Sequence, residues 1–386
     1  MAWPALTVGV VVLLGIAAKW SCLGGDGLTL GETAIPWCYS DVVGLYQGRG
    51  LAANPLPYAE VLTEYPPLTG LQWWLAGLVS GSATGFYLAT AAVQAVAAVS
   101  IVVLLARAGV RGPRLLVVAA APAMALTATI NWDLVAVALL TAGVLAGRGD
   151  RPVRAGVLLG LGGLAKVFPL AAVPLLAWSW WRRGDRRGGA HLVGAATATV
   201  LAVQVPVALW APQGWASWVA LNRGRSVDWD TVWYGAQVLM GGPIPAGLAD
   251  GLVLLVGIAG VAAILRVAVN RGGAGLPVGE EWRLLLPVMA WLLLVGKVYS
   301  PQYSLWLLPL LALSRVPLPL VWAWLVADLA VILTRFPFLA GQQGLDPSLP
   351  YEVFGMALLV RGLLLVAIIA LVMRPARAVA VEMAER

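Results

Sequence analysis

Five carboxylates stand in one polar stretch near the start of the chain: Asp26, Glu32, Asp41, Glu60 and Glu64, against the single base Arg49. The stretch follows a first hydrophobic segment, Pro4 to Cys22, and closes on the run Glu64, Tyr65, Pro66, Pro67. A carboxylate so placed can take the proton from an attacking hydroxyl, and cations at the same depth can hold a departing phosphate. The candidate cations are Lys166, Arg223, Arg225 and Lys297, the last followed by Tyr299, Ser300, Pro301, Gln302 and Tyr303.

Asp41 is the favoured base. Ser40 suits an N-cap, and Tyr39, Val42, Val43 and Tyr46 recur at helical spacing, so the pattern predicts a short surface helix from about Asp41 to Leu51. The plainer role for an aspartate in a first turn is to meet the helix dipole, worth about 0.3–1 kcal/mol. Glu64 sits before a double proline that fixes a sharp turn, and it offers a second acid or an acceptor contact. Asn131 and Asp133 fall where two short helices meet, about Arg114 to Ile130 and Asp133 to Gly147, and helix capping competes there with substrate contact. Lys166 interrupts an apolar run. Snorkelling to the interface is its ordinary explanation, and that movement also brings its ammonium to phosphate depth. Asp328, inside an apolar helix, is expected to pair with Arg335 or Arg361.

The elements that must position these groups are membrane spans. Hydrophobic residues make up 61% of the chain, charged residues 11%, and mean hydropathy is +0.87, outside the range of soluble domains. Long apolar windows run over Pro4 to Cys22, Phe86 to Ala106, Ala190 to Trp210, Ala246 to Leu265, Leu318 to Thr334 and Val353 to Met373. Each can cross a hydrocarbon core of roughly 30 Å, and with shorter segments about 10–12 helices are expected. The first segment carries Lys19 and no cleavage-like site, so it reads as a retained helix.

Arginine placement sets the expected topology. With a cytoplasmic N-terminus, the bases at 107, 111, 114, 148, 151, 154, 182, 183, 186, 187, 266, 271, 283, 315, 374 and 377 all fall on the cytoplasmic side. The net charge of +7 then needs no nucleic acid. For the count to close, Pro66 to Ser80 must not cross, and Ala155 to Ala165 with Val167 to Trp181 form an out-and-back pair turning at Lys166. The outer excursions are about 23–85, 211–245 and 336–352, in one membrane domain over 1–386 without repeats. Cys22 and Cys38 both reach the outer face, as a disulfide or as two buried thiols. The lone histidine, His191, lies at a cytoplasmic helix end, and no Cys/His cluster or glycine-rich phosphate loop is visible, so no metal or other cofactor is expected.

An outward-facing site cannot use nucleotide-activated donors, whereas a sugar on a polyprenyl phosphate presents its reactive carbon at that interface. The order of motifs resembles the polyprenyl-phosphate-mannose-dependent mannosyltransferases of the GT-C superfamily, the bacterial glycosyltransferase family 87 of alpha-1,2-mannosyltransferase type. The matching pieces are Asp41 through Tyr46, Pro57 and Tyr58, Glu64 to Pro67, Asn131 to Asp133, Lys166 to Pro169, and Ser300 to Tyr303 with Trp306 and Pro309. Asn131, Asp133, Lys166 and Pro169 also resemble the eukaryotic glycosylphosphatidylinositol mannosyltransferase I.

That resemblance implies an all-α polytopic membrane protein of GT-C-type fold with juxtamembrane helices in its first outer loop. It implies inverting, metal-free transfer of a sugar, most simply mannose, from a polyprenyl phosphate donor to a glycolipid or glycan acceptor. Asp41 would be the base, and the substrate-binding set would be Tyr46, Glu64, Tyr65, Asn131, Asp133, Lys166, Arg223, Arg225, Lys297, Tyr299, Gln302 and Tyr303. The site would face outward from a bacterial cytoplasmic membrane, in contact with its lipids, with both termini inside. Some actinobacterial members carry histidines where Gln302 and Tyr303 stand, which leaves acceptor and linkage open. A lipid transporter or flippase is the competing class, and it predicts a repeated architecture with charges near the midplane.

Overall fold

The computed structural model describes residues 2–23, 35, 37–270 and 276–374. Asp26, Glu32, Arg271 and Arg377 lie outside the described residues. Within them the chain forms seventeen α-helices and no strand. In order these are α1 (Ala2–Trp20), α2 (Asp41–Gly48), α3 (Pro67–Leu78), α4 (Ala83–Arg107), α5 (Pro113–Ala119), α6 (Pro122–Thr127), α7 (Asp133–Arg148), α8 (Pro152–Ala165) and α9 (Ala172–Arg182). They continue as α10 (Arg186–Trp210), α11 (Pro212–Gly224), α12 (Val232–Met240), α13 (Ala246–Asn270), α14 (Leu285–Val295), α15 (Leu308–Leu313), α16 (Leu318–Gln342) and α17 (Tyr351–Val372). Tight 3₁₀ turns at 51–53, 168–171, 281–284 and 301–306 join some of them.

Among the described residues α1, α4, α10, α13, α16 and α17 are long and apolar enough to cross a membrane, and they contain the six windows expected from hydropathy to within two residues at the ends of α1 and α17. The protein is a multi-pass membrane protein. The other helices are short, for reasons written in the chain. Pro122 breaks the apolar run after α5, and Pro169 ends helical pairing beyond Lys166, so α8 and α9 form the expected out-and-back pair.

Glycines let α8 approach its neighbours. A β-carbon on Gly156 would meet the Leu192 carbonyl of α10 at 2.3 Å, and one on Gly160 would meet Thr199 at 2.8 Å. This four-residue spacing is the small-residue seam by which helices pack in lipid, where no hydrophobic gradient drives them together.

The ends of these helices sort the charges. At one end Arg148 stacks over Trp282 at 4.6 Å, Arg183 pairs with Asp150 at 2.8 Å, and Arg182 pairs with Glu281 at 3.4 Å. Arg114 donates there to the Val316 carbonyl at 2.8 Å. At the opposite end of α7 stands Asp133, and α7's 16 residues at about 1.5 Å each separate the two ends by about 24 Å.

Two sequence expectations change. The third excursion is shorter than 336–352, because α16 continues through Pro337 to Gln342 and keeps Arg335 and Phe336 helical. Ser40 does occupy the N-cap of α2, yet its hydroxyl makes no cap bond and donates to the Thr129 carbonyl at 3.3 Å. That contact fastens α2 to the α6–α7 corner instead of to its own backbone.

Cys22 and Cys38 are joined in a disulfide, with α-carbons 5.6 Å apart. Beside it the buried Lys19 ammonium donates to the carbonyls of Trp37 and Tyr39, each at 3.0 Å. The end of α1 is thus tied to the segment that leads into α2. Replacing both cysteines with serine is expected to destabilise the protein by about 3 kcal/mol, the loop-closure term for a ring of this size. A melting temperature unmoved by reductant would overturn that expectation.

Candidate active site

Two cavities of similar volume exist. One, about 1000 Å³, is an apolar furrow between α16 and α17 whose only ionisable lining residue is Glu352. The other, about 970 Å³, opens between α2, the 64–66 turn, α11 and the 301–306 turn, and carries Asp41, Glu64, Lys166, Arg225, Asp228 and Arg335 on its walls. Chemistry needs convergent polar groups, so the second cavity is the candidate.

Asp41 reaches it from the first turn of α2, which the Val42 amide ties to the Ile130 carbonyl at 3.3 Å. The Tyr39 hydroxyl donates to Asp41 Oδ1 at 2.6 Å, and Asn131 Nδ2 donates to Oδ2 at 2.8 Å. Gln302 Nε2 approaches Oδ2 at 3.5 Å. The charge of Asp41 and then burial push the Tyr39 phenol well above its usual range. Burial first, then Asp41, does the same to Tyr65. Both phenols therefore stay protonated, and Tyr39 remains a donor to the carboxylate. Asn131 Nδ2 also donates to the Tyr65 hydroxyl at 2.8 Å, which fixes the ring that closes one wall.

Lys166 lies at the α8 C-terminus, held near α3 because Thr69 donates to the Ala165 carbonyl at 2.7 Å. Its ammonium donates to Asp133 Oδ2 at 3.0 Å and sits 5.3 Å from the ring centres of both Tyr65 and Tyr303. Asp133 Oδ1 accepts from the Trp306 indole at 2.7 Å. Trp306 stacks between Phe168 and Tyr303, 4.0 Å from each. Asp133 is thus a buried clamp on Lys166 and Trp306, not a substrate contact.

The structure brings Asp41, Glu64, Tyr65, Asn131, Lys166, Arg225, Gln302 and Tyr303 to one cavity. Five expected contacts are not on its walls, and Asp133, held by Lys166 and Trp306, is one of them. Tyr46 is buried, with its ring 5.1 Å from that of Phe86. Tyr299 is buried under the Arg361 guanidinium, 3.8 Å from its ring centre. Lys297 pairs with Asp250 of α13 and donates to the Arg223 carbonyl at 3.2 Å. Arg223 is exposed at the end of α11. Apart from the exposed Arg223, each is spent on packing or on a neighbour brought in from distant sequence.

Glu64 forms an ion pair with Arg49, and Arg225 pairs with Asp228 at 3.5 Å. Asp328 takes Arg361 Nη1 at 3.3 Å and the Ser304 hydroxyl at 2.6 Å, which resolves its partner in favour of Arg361. Three groups on the cavity were not anticipated: Tyr39, Asp228 and Arg335. Only the proximity of Tyr39 to Asp41, two residues away, was visible in the chain.

The profile of glycosyltransferase family 87 matches residues 63–295, more than half of the chain. The chain belongs to glycosyltransferase family 87. This family 87 chain is a multi-pass membrane protein. Glu64, Tyr65, Asn131, Lys166 and Arg225 fall inside the matched span, while Asp41, Gln302 and Arg335 lie outside it. No curated protein matches the chain. Among solved structures, it is similar to the apo oligosaccharyltransferase of Archaeoglobus fulgidus at 14% identity and TM-score 0.45, covering 96% of this chain and 55% of that one. It is also similar to ArnT from Cupriavidus metallidurans bound to undecaprenyl phosphate, at 17% identity and TM-score 0.46, covering 96% of this chain and 77% of that one. The chain spans about half the length of that oligosaccharyltransferase.

Proposed function

We propose that this family 87 protein is a glycosyltransferase that moves a sugar, and specifically mannose, from a polyprenyl phosphate to a hydroxyl of a glycolipid or glycan acceptor, with Asp41 as the base. The observation that carries the reading is the sharing of one cavity by a carboxylate held by Tyr39 and Asn131 and by the cations Lys166 and Arg225. Asp41 would take the acceptor proton as the hydroxyl oxygen attacks the anomeric carbon. The electrons of the breaking bond would go to the phosphate, which leaves as an anion beside the cations, and configuration would invert.

The same reading places the cavity outside a bacterial cytoplasmic membrane. Its support is the separation of charge between the two ends of α7 and the disulfide on the cavity side, since such bonds persist in oxidising compartments. The residues present supply a proton acceptor and phosphate-neutralising charge without a metal ligand set among the described residues.

The test is a donor comparison in proteoliposomes. Polyprenyl phosphate mannose is expected to give glycosylated acceptor, while nucleotide-linked mannose added to the cavity side gives none. Product from the nucleotide sugar alone would overturn the donor assignment.

A further inference from the structure

The geometry points to Arg335 as the side chain that grips the phosphate of the donor lipid, an assignment that rests on the function proposed above and adds a third cation to the two named there. Arg335 stands on α16, on the cavity wall, with its side chain only 7% exposed. Its Nε donates to both carboxylate oxygens of Asp230, at 2.9 and 2.8 Å. Nη1 is buried and has no hydrogen-bond partner. A guanidinium carries five N–H donors in a planar fork, and among the described residues this one spends a single N–H, on Asp230. Native interiors rarely leave such groups unmet unless something else is to meet them.

The remaining cations are engaged or exposed. Lys297 is taken by Asp250, and Lys166 by Asp133 between two aromatic rings. Arg225 is half exposed and already beside Asp228. Arg335 joins burial, unspent donors and a held orientation to a planar fork that fits two phosphate oxygens at once, whereas the buried Lys166 offers a point charge. Asp230 fixes it from behind, and the Asp230 backbone carbonyl is itself held by Arg361 Nη2 at 3.3 Å.

Its position relative to the base suits transfer. The Arg335 guanidinium lies 5.9 Å from the ring centre of Tyr39, whose hydroxyl is bonded to Asp41. A phosphate on Arg335 and an acceptor hydroxyl on Asp41 are then separated by roughly one tyrosine ring, the gap that a single sugar must bridge.

The test uses the full chain in nanodiscs, with farnesyl phosphate, farnesol and inorganic phosphate as probes. Arg335→Lys keeps the charge and a contact to Asp230 but lacks the fork. Farnesyl phosphate affinity is expected to fall at least about tenfold, and the KM for the lipid-linked sugar to rise with it, while the acceptor KM stays unchanged. Undiminished farnesyl phosphate binding in that variant overturns the assignment, as does parental binding of farnesol equal to that of farnesyl phosphate. Competition by inorganic phosphate at comparable concentration would assign Arg335 to a free phosphate ion and overturn the lipid donor as its ligand.

Should Arg335→Lys not fold, Asp230→Asn carries the test. Phosphate would then replace the missing anion beside the guanidinium, so farnesyl phosphate should raise the melting temperature more than in the parent. A smaller rise overturns the proposal. Failure of the broader reading looks different: the parent itself would neither bind farnesyl phosphate nor use a polyprenyl phosphate sugar, whereas failure of Arg335 alone leaves the parent active and its variant equally well bound.

Discussion

An Asp41→Asn variant is expected to fold as the parent does and to lose about 10²- to 10⁴-fold in turnover, the range attributed to a general base. The amide keeps the shape of the carboxylate and still accepts from the Tyr39 hydroxyl, which now reaches Oδ1 at 2.6 Å. The Asn131 contact at 2.8 Å, and the longer Gln302 approach at 3.5 Å, are set donor against donor, a loss of about 1 kcal/mol in stability. Turnover and melting temperature therefore separate. Should kcat stay within a factor of a few of the parent, Asp41 is not the base, and Glu64 is the next carboxylate on the cavity wall.

The second large effect falls on Lys166. Lys166→Met is expected to destabilise the protein by about 3–5 kcal/mol, because Asp133 then stays buried with one oxygen facing an uncompensated methylene chain. Trp306 still donates to the other oxygen, but neutral donation does not replace a cation. The double variant Lys166→Met, Asp133→Asn removes the stranded charge and should recover most of the stability. Transfer should remain low in it, since the ammonium between Tyr65 and Tyr303 is gone. A double variant with parental kcat would confine Lys166 to a structural role. One that stays as unstable as the single variant would show that the ion pair is not the source of the loss.

What the chain disclosed in advance follows the range of the interactions concerned. Asp41 and α2 were legible because helical spacing and an N-cap residue are local signals, and the Lys166 turn because two prolines and a lysine interrupt an apolar run. The groups that sequence reading misjudged are governed by partners far along the chain. Lys297 looked like a phosphate ligand until α13 brought Asp250 to it from 47 residues away. Arg335 was expected as a possible partner of Asp328, and instead meets Asp230 across 105 residues. The third outer excursion was expected to begin at Phe336, yet the helix carries Pro337 inside it and continues to Gln342. Asp133 was expected as a substrate contact, and the fold sets it off the cavity wall with one oxygen on Lys166 and the other on Trp306.

The hydrogen bonds around Asp41 also bear on which product forms. An ionised carboxylate offers about four lone pairs. Tyr39 claims one on Oδ1, and Asn131 with Gln302 crowds Oδ2. With Asp41 as the base, an acceptor can present a hydroxyl only along the directions left over. The regiochemistry of the glycosidic bond is then set by two amides and a phenol through the directions they leave open on the base.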